Sequence, residues 1–433
     1  MRLALLIGTA LTAYAQTATP GCVAFCGSGY PTCMAKCEAA VAANKTVLSE
    51  EPPLFQLEPL ATLETTSEIT GSDMYIRKPS GKLFFTTRDG GVFRFIPKPK
   101  AGGRVVDQIY RFEASLQLDT AADKGLYDIA FPRQFRKSRL CYLSYAAACK
   151  DTDTSNCNHV LSVAEFAMDE HENITFRSVV ERLPQTVPYR SGGFLKSATD
   201  YAANMPAPLW LSSGGNQEND VALMNAEPKY SSIYGITPAS IKPVHSQGPK
   251  FALWANGLAN PYECDYAALT RSSEIVCLTR HYDQSNELLS VALFKAEAGH
   301  TFNEETSTFI QSNGYRTTEK MHSYTQVFDA ENSCVPDSVI QSSFNLLGHG
   351  YQNRIIIAKP TCDIEDFKPS ELQVLTRNSK EKRWELVPMH IDLGGRNLWN
   401  MQLMGAERSH GLFLAARDLY TNTYTIYWVK LIE

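Results

Sequence analysis

Long apolar segments are scarce in this sequence. The run from Leu3 to Leu11 is far shorter than the ~20 residues that a membrane-spanning helix needs, and no later stretch is long and apolar enough. Arg2 before this run and Ala13-Tyr14-Ala15 after it give the charged start and the small-residue cleavage pattern of a secretory signal peptide. We therefore expect residues 1–15 to be a signal peptide, and the mature protein to be secreted without a membrane span.

Positive charge is also in short supply. The 41 lysines and arginines are outnumbered by 46 aspartates and glutamates, so the formal net charge is −5. A chain with this balance has no overall positive field that would attract nucleic acid. Apolar residues make up 44% of the chain and charged residues 20%, which is enough apolar material for a large core. We expect a globular protein with no nucleic-acid partner.

Several motifs that carry known chemistry are missing. There is no H-E-x-x-H and no histidine pair at i,i+4 spacing, the arrangements that predict a zinc site. The G-x-S-x-G pattern of a hydrolase nucleophile and the phosphate-binding P-loop are missing too. The stretch from Asn216 to Asp220 is rich in oxygen ligands but lacks the spacing and the glycine of a calcium loop, so a solvated loop is favoured. The sequence predicts no metal site.

Cysteine, by contrast, is plentiful. In an exported chain, 11 cysteines predict disulfides with one thiol left over. The candidate disulfide cysteines are Cys22, Cys26, Cys33, Cys37, Cys149, Cys157, Cys264, Cys277, Cys334 and Cys362. Proximity favours the pairs Cys149–Cys157, Cys264–Cys277 and Cys334–Cys362, although spacing does not fix the connectivity. Cys141 remains, and a buried free thiol is the favoured interpretation because no neighbour in the sequence would activate it.

The first four cysteines mark a separate N-terminal unit. They form a C-x3-C-x6-C-x3-C pattern, and thiols at i,i+4 share one face of a helix, so this part is predicted to be helical. We place the cysteine-rich appendage and its linker at residues 16–53 and a β domain at residues 54–433. Asn44 and Asn173 begin sequons and are candidate glycosylation sites.

From residue 54 onward the pattern is typical of short β-strands. The runs 82–88 and 92–96 alternate around the turn Asp89-Gly90-Gly91, which predicts a tight hairpin. Similar runs lie at 140–145, 160–166, 209–213, 275–278, 354–358 and 411–415. Many short strands allow a sandwich, a barrel or a propeller. Length favours an all-β, six-bladed propeller of four-stranded antiparallel blades, and the lack of a strict short repeat argues against a WD-type propeller.

One segment carries a specific resemblance. Gly257-Leu-Ala-Asn-Pro-Tyr-Glu-Cys-Asp265, followed by Cys277, is similar to the G-L-R-N-P-W-x-C-x-D segment of the secreted propellers related to soluble quinoprotein glucose/sorbosone dehydrogenases and hedgehog-interacting protein. Further blocks that resemble this family occur in the same order at 125–132, 209–215 and 231–236. The resemblance covers most of residues 60–310 and implies a divergent six-bladed propeller.

The same resemblance also marks three departures from the family's chemistry. In its enzymes, a histidine before a Gly-Gly pair is the general base, and an arginine before Asn-Pro sits over pyrroloquinoline quinone (PQQ). Here Arg190 and Ala259 occupy these two positions. A guanidinium stays protonated and cannot act as the base, and alanine has no charge to stabilise a reduced quinone. The loop at Ser213 also has serine where the family has aspartate.

Polar residues nevertheless remain where the family's pocket would lie. The candidate pocket residues are Asp123, Arg190, Asn216, Gln217, Asn260 and Arg396. Asparagine and aspartate are also common turn residues, so the alternative is that these side chains cap turns and tie blade edges together.

These observations leave three hypotheses. The first is a secreted, catalytically degenerate dehydrogenase-like propeller that needs no cofactor and binds an extracellular protein or a carbohydrate. The second is a PQQ- and calcium-dependent sugar or aldose oxidoreductase with a rearranged site, in which Asp123 or His300 is the base and Arg396 or Arg190 supplies the cation. The third makes the cysteine-rich appendage the functional module and the propeller its carrier.

Overall fold

The computed structural model of the protein describes residues 55–432 with gaps, and Ala35 before them. The gaps are 64, 66, 76–81, 97–105, 123, 133, 151–152, 154–155, 187–191, 198–208, 215–231, 241–250, 257–260, 267–273, 283–287, 298–299, 304–307, 312–325, 330–334, 343–353, 362–369, 378–383, 390, 394–395, 408–410 and 420. The predicted signal peptide at 1–15, almost all of the predicted appendage at 16–53, the first four cysteines, Asn44, Cys334 and Cys362 therefore lie outside the described residues.

The described strands form six sheets, numbered I to VI here. Each sheet is built mainly from strands that follow one another in the sequence. Sheet I contains β2 (Ile69–Tyr75), β3 (Lys82–Thr87), β4 (Gly91–Phe95) and β5 (Val106–Arg111). Sheet II contains β6 (Leu126–Ala130), β7 (Leu140–Ala147), β8 (His159–Met168) and β9 (Ile174–Gln185), with the short helix α1 (Phe135–Ser138) between β6 and β7. Sheet III contains β10 (Gly192–Ser197), β11 (Leu209–Ser213), β12 (Ser232–Ile236), β13 (Phe251–Asn256), β17 (His300–Asn303) and β18 (Thr308–Gln311).

The other three sheets complete the chain. Sheet IV contains β14 (Pro261–Tyr266), β15 (Glu274–Tyr282), β16 (Leu288–Glu297) and β19 (Gln326–Asp329). Sheet V contains β20 (Ser338–Ser342), β21 (Arg354–Lys359), β22 (Glu371–Arg377) and β23 (Trp384–Pro388). Sheet VI contains β25 (Leu398–Glu407), β26 (Gly411–Asp418), β27 (Tyr424–Leu431), β1 (Phe55–Leu63) and β24 (Ile391–Asp392).

The sheets follow one another around a ring, as in a propeller. The first strand of each sheet contacts the first strand of the next, in the order β2, β6, β10, β14, β20, β25 and back to β2. Apolar side chains fill the spaces between neighbouring sheets: one buried cluster joins sheets I and II, and others join II with III, IV with V, V with VI, and VI with I. The core is therefore distributed between the sheets, while the inner strands surround the centre.

The ring closes through the start of the β domain. Strand β1 precedes sheet I in the sequence, yet it pairs antiparallel with β27, from Phe55 opposite Leu431 to Leu63 opposite Tyr424. Phe55 and Leu57 of β1 are buried in the apolar cluster between sheets V and VI. The two ends of the β domain are thus held in one sheet by backbone hydrogen bonds and by a shared core.

Most of the predicted strands are confirmed. The hairpin predicted at 82–96 is the β3–β4 pair, with Leu83 opposite Phe95. Gly90 in its turn has φ +94°, and a Cβ at this position would lie 2.8 Å from Cδ2 of Leu118. The alternating runs from 140, 160, 209, 275, 354 and 411 lie in β7, β8, β11, β15, β21 and β26. Period-two alternation with glycine at the turn was sufficient to locate these strands.

The prediction that every sheet would be four-stranded and antiparallel is wrong for two of the six sheets. The hairpin β17–β18, which lies between β16 and β19 in the sequence, extends sheet III through a parallel pairing of β17 with β13. Strand β24 adds to sheet VI through a parallel pairing with β1. Both additions cover outer strands, whose backbone donors and acceptors would otherwise face solvent.

Two predicted disulfides are present among the described residues, Cys149–Cys157 and Cys264–Cys277. The second joins directly opposite residues of β14 and β15. Cys141 is a buried free thiol, and burial raises its pKa to about 12, so the unreactive neutral form is favoured.

In the part of the chain that the structure describes, no helix has the length and hydropathy to cross a bilayer.

Replacing Phe55 with alanine tests how much the closing strand contributes. The ring is fully buried, so we expect a loss of about 3–5 kcal/mol in the free energy of unfolding, measured by chemical denaturation. The control is Glu58→Ala on the same strand, because Glu58 forms an exposed ion pair with Lys430 and its loss should cost less than about 1 kcal/mol. Equal effects of the two variants would contradict the role of β1 in closing the ring.

Candidate functional site

A polar cavity lies where the inner strands begin, at the centre of the ring. Its volume is about 110 Å³, which is room for several water molecules. Residues at or next to the starts of β2, β6, β10, β14, β20 and β25 line it, so sheets from all around the ring contribute. The charged side chains in its wall are Glu68, Arg88, Asp128, Glu263, Arg280 and Asp337.

A repeated hydrogen bond builds the wall of this cavity. A carboxylate in or next to one inner strand accepts a backbone N–H from the next sheet in the ring. Asp73 accepts from Phe131 at 2.8 Å. Asp128 accepts from Leu195 at 3.1 Å, and Asp337 accepts from Met401 at 2.8 Å. Each of these bonds joins a carboxylate of one sheet to a backbone N–H of the next sheet. The carboxylates therefore hold neighbouring sheets together near the cavity.

Asp128 and Lys196 form a mostly buried ion pair between sheets II and III. The Lys196 Nζ lies 3.1 Å from Oδ2 of Asp128 and donates to the Ser72 carbonyl at 2.7 Å. Oδ1 of Asp128 accepts the N–H of Ile129 at 2.9 Å. Burial alone would lower the pKa of Lys196, but the charge of Asp128, with smaller effects from Glu263, raises it. Lys196 therefore stays charged, and its partners are already in place.

Two further carboxyls in the wall hold their protons more tightly than usual. Burial raises the pKa of Glu263 to about 8, against the charge of Lys196 and a hydrogen bond from the Gln402 amide at 3.0 Å. Burial likewise raises the pKa of Asp337 to about 7, against the hydrogen bond from Met401. Near neutral pH, Glu263 is mainly protonated and Asp337 titrates.

Both guanidiniums in the wall are already engaged. Nη2 of Arg88 lies 2.6 Å from Oε2 of Glu68. The Arg280 guanidinium lies 3.9 Å from the centre of the Tyr262 ring, whose hydroxyl donates to the Pro336 carbonyl at 2.6 Å. Four carboxyls, two occupied guanidiniums and two amides therefore line the cavity together with aromatic rings.

The Gly-Gly pair that begins β10 is required by packing. Gly192 and Gly193 both have positive φ, +66° and +97°. A Cβ on Gly193 would lie 2.3 Å from Cδ2 of Tyr127, so a side chain there would displace a ring in the cavity wall. The carbonyl of Gly193 also accepts a hydrogen bond from Ser144. This pair fixes how close sheets II and III approach each other.

Most of the predicted site residues fall in the gaps. Asp123, Arg190, Asn216, Gln217, Ala259 and Asn260 lie outside the described residues. In the sequence, Arg190 is two residues before Gly192, and Asn260 is two before Tyr262. Gly192 and Tyr262 both line the cavity. The predicted pocket positions are thus close in sequence to residues that form it.

Two other predicted residues are described, and the structure places neither in the described wall of the cavity. The guanidinium of Arg396 lies 5.3 Å from the centre of the Tyr427 ring, which belongs to the core between sheets V and VI. His300, proposed as an alternative base, begins β17 in the outer part of sheet III, opposite Ala255.

The candidate glycosylation site Asn173 is exposed in the turn between β8 and β9, where its side chain donates to Asp169 at 3.0 Å.

The polar residues that contribute most to this cavity were not predicted from the sequence. Asp128, Lys196, Glu263, Asp337 and Gln402 were not among the predicted pocket residues. A usable signal existed: Asp128 stands inside the apolar run Leu126–Ala130, and Glu263 lies between Tyr262 and Cys264. A charged residue within a strand that is otherwise apolar needs a buried partner, and in a ring of sheets that partner lies in the next sheet.

The described wall does not fit PQQ. This quinone is a polycarboxylate and needs cations, whereas the described wall has four carboxyls, and its two guanidiniums are already engaged with Glu68 and Tyr262. Among the described residues, no three His, Cys, Asp or Glu side chains are grouped so that they could hold a metal ion.

Comparison with solved structures identifies the class of fold. The chain is similar to a glucose dehydrogenase with a TM-score of 0.55 and 14% identity, over 87% of this chain and 99% of that one. It is also similar to the PQQ-bound aldose sugar dehydrogenase of Streptomyces coelicolor, with a TM-score of 0.56 and 13% identity, over 88% of this chain and 100% of that one.

A third match extends the same result. The apo form of the soluble aldose sugar dehydrogenase of Escherichia coli gives a TM-score of 0.55 and 12% identity, over 87% of this chain and 100% of that one. The chain therefore has the propeller fold of soluble sugar dehydrogenases, and the predicted resemblance is confirmed for the fold. No protein-family model matches the chain, and no curated protein is significantly similar to it.

Removing one partner of the buried ion pair tests its part in holding the site together. Asp128→Ala leaves the Lys196 charge and two backbone N–H groups without their acceptor, so we expect a loss of about 3–5 kcal/mol in unfolding free energy. The double variant Asp128→Ala/Lys196→Met should recover part of this loss. The control Arg111→Met removes an exposed pair with Asp89 and should cost less than about 1 kcal/mol. A double variant no more stable than Asp128→Ala would contradict the assignment.

Proposed function

We propose that this protein is an extracellular six-bladed propeller that binds a carbohydrate in its central cavity and has lost the sugar oxidation of the enzymes that share its fold. The observation that carries the proposal is the mixed polar wall of the cavity. Carboxyls, amides and aromatic rings converge there from the starts of the inner strands. Pockets for small ligands commonly combine apolar walls with a few polar groups that fix orientation.

The wall suits the hydroxyl groups of a sugar. Protonated Glu263 and the Asn400 amide supply donors, and ionised carboxylates supply acceptors, so both roles that a sugar hydroxyl plays have a counterpart. Tyr127 and Phe194 add aromatic surface against which the C–H face of a sugar ring can pack. The charges of Arg88 and Lys196 are balanced by Glu68 and Asp128, which favours a neutral ligand over an anion.

Loss of the oxidation is supported by the sequence and by the cavity together. Arg190 and Ala259 stand where the resembling enzymes carry their base and their cofactor-binding arginine. A guanidinium cannot accept the proton, and an alanine cannot balance the charge of a reduced quinone. The engaged guanidiniums of Arg88 and Arg280 do not replace that missing charge.

A PQQ- and calcium-dependent oxidoreductase is the second candidate, and one observation favours it. Asp337 has a pKa of about 7, in the range that suits a general base at neutral pH. The fold alone does not decide between the candidates, since one fold can carry unrelated functions.

An extracellular location and a protein partner are also parts of the proposal. Disulfides persist in oxidising compartments, and Cys149–Cys157 and Cys264–Cys277 support such a location. A protein that carries the bound glycan is a natural partner for a cavity at the centre of the ring. The alternative is a protein partner that is recognised without any glycan. Titration with free sugars distinguishes the two possibilities.

Calorimetric titration with D-glucose, D-galactose, D-xylose and L-arabinose tests the proposal. We expect at least one of these neutral sugars to bind, with about tenfold weaker affinity in Gln402→Leu, because the change removes an amide from the cavity wall. Glu58→Gln on the outer strand β1 is the matched control and should bind like the wild type.

The same preparation tests the second candidate. With PQQ, calcium and a dye acceptor added, we expect no sugar-dependent dye reduction. Stoichiometric cofactor binding with robust dye reduction would establish the oxidoreductase instead. Failure of all four sugars to bind at any pH would overturn carbohydrate binding.

A further inference from the structure

Glu263 is a carboxyl in the cavity wall for which no ion pair is found within the part of the chain that the structure describes. It is buried, with 8% of its surface exposed, and its carboxyl accepts a hydrogen bond from the neutral amide of Gln402 at 3.0 Å. The Lys196 ammonium, whose charge acts on Glu263, is already engaged by Asp128 and by the Ser72 carbonyl. A carboxylate at this position has little to stabilise it apart from water in the cavity.

Three charged groups on the surrounding strands act on Glu263. Lys196 on β10 attracts the carboxylate, and Asp128 on β6 and Asp265 on β14 itself repel it. Beyond these groups, Asp73 lies on β2, Asp337 lies at the start of β20 beside Arg280 of β15, and Glu68 pairs with Arg88. One lysine therefore faces several carboxyls, and the balance opposes a negative charge on Glu263.

We propose that the cavity binds its carbohydrate only while Glu263 is protonated, so that ligand affinity is controlled by pH. This inference rests on the proposed function, because it concerns the same cavity and the same ligand. A neutral sugar displaces cavity water, which is the solvent that a Glu263 carboxylate would need. The protonated carboxyl, in contrast, keeps the Gln402 hydrogen bond and can donate its proton to a sugar oxygen.

The direction of the pH effect follows from this preference. Burial raises the pKa of free Glu263 to about 8, and a ligand that prefers the protonated form raises it further. The Glu263 contribution to affinity therefore falls as the pH rises through 8. For a single proton, each pH unit above that value costs about tenfold in affinity, so affinity should drop about 30-fold between pH 7 and pH 9.5.

The experiment measures the affinity of the tightest binder among D-glucose, D-galactose, D-xylose and L-arabinose at pH 6, 7, 8, 9 and 9.5. Wild type should show the 30-fold loss. Glu263→Gln, which keeps a neutral side chain of the same size, should change by less than about twofold over the range. Glu371→Gln removes a partly exposed carboxyl from β22 in sheet V and should keep the wild-type profile.

A second measurement does not depend on the variant folding. Carbon-13 NMR of glutamate carboxyls in the wild type should show one resonance with a midpoint near pH 8, moved upward by the bound sugar. Calorimetry at pH 9 in two buffers of different ionisation enthalpy should show uptake of close to one proton on binding.

The outcomes separate this inference from the proposed function. Sugar binding that is independent of pH, without proton uptake, overturns the role of Glu263 and leaves carbohydrate binding intact. An affinity that rises with pH also overturns it, since that result means the carboxylate is the binding form. If none of the sugars binds at any pH, the proposed function fails, and this inference fails with it.

Discussion

The pairing of β1 with β27 is the constraint on which the rest of this structure depends. A ring of sheets has two free edges until its first and last members are joined, and here the strand that begins the β domain completes the last sheet. Closure brings the six inner strands to one centre and leaves their starting ends facing one another. The cavity exists because of that convergence, so the site and the global fold are stabilised by the same contacts.

Convergence also explains why the centre is so rich in charge. Inner strands that meet around an axis cannot pair with each other as a sheet, so their polar groups need other partners. Asp73, Asp128 and Asp337 meet this need by accepting backbone N–H groups from the following sheet. These carboxylates join the sheets, and two of them, Asp128 and Asp337, also line the cavity. Glu263 differs, because its hydrogen bond comes from a side-chain amide, and no ion pair is found for it among the described residues.

Much of the fold could be predicted from local signals, and much less of the site. Alternation and the turn at Gly90 are local, and they located the β3–β4 hairpin correctly. The parallel additions of β17 and β24 depend on which outer edges are free in the assembled ring, and no local pattern encodes that. The family resemblance predicted pocket positions such as Asn260, which lies outside the described residues, whereas the described cavity depends on charged residues within strands, such as Asp128 and Glu263.

Loss of one chemistry does not require loss of the pocket. Asp128 and Asp337 line the cavity and also hold neighbouring sheets together, so substitutions that remove them are opposed by stability, whatever the ligand. In the sequence, Arg190 and Ala259 lie two residues before the inner strands that begin at Gly192 and Pro261. Substitutions that spare the sheet-joining carboxyls therefore leave the polar wall of the cavity in place. A cavity with carboxyls whose protonation is set by burial is the feature that the fold itself preserves.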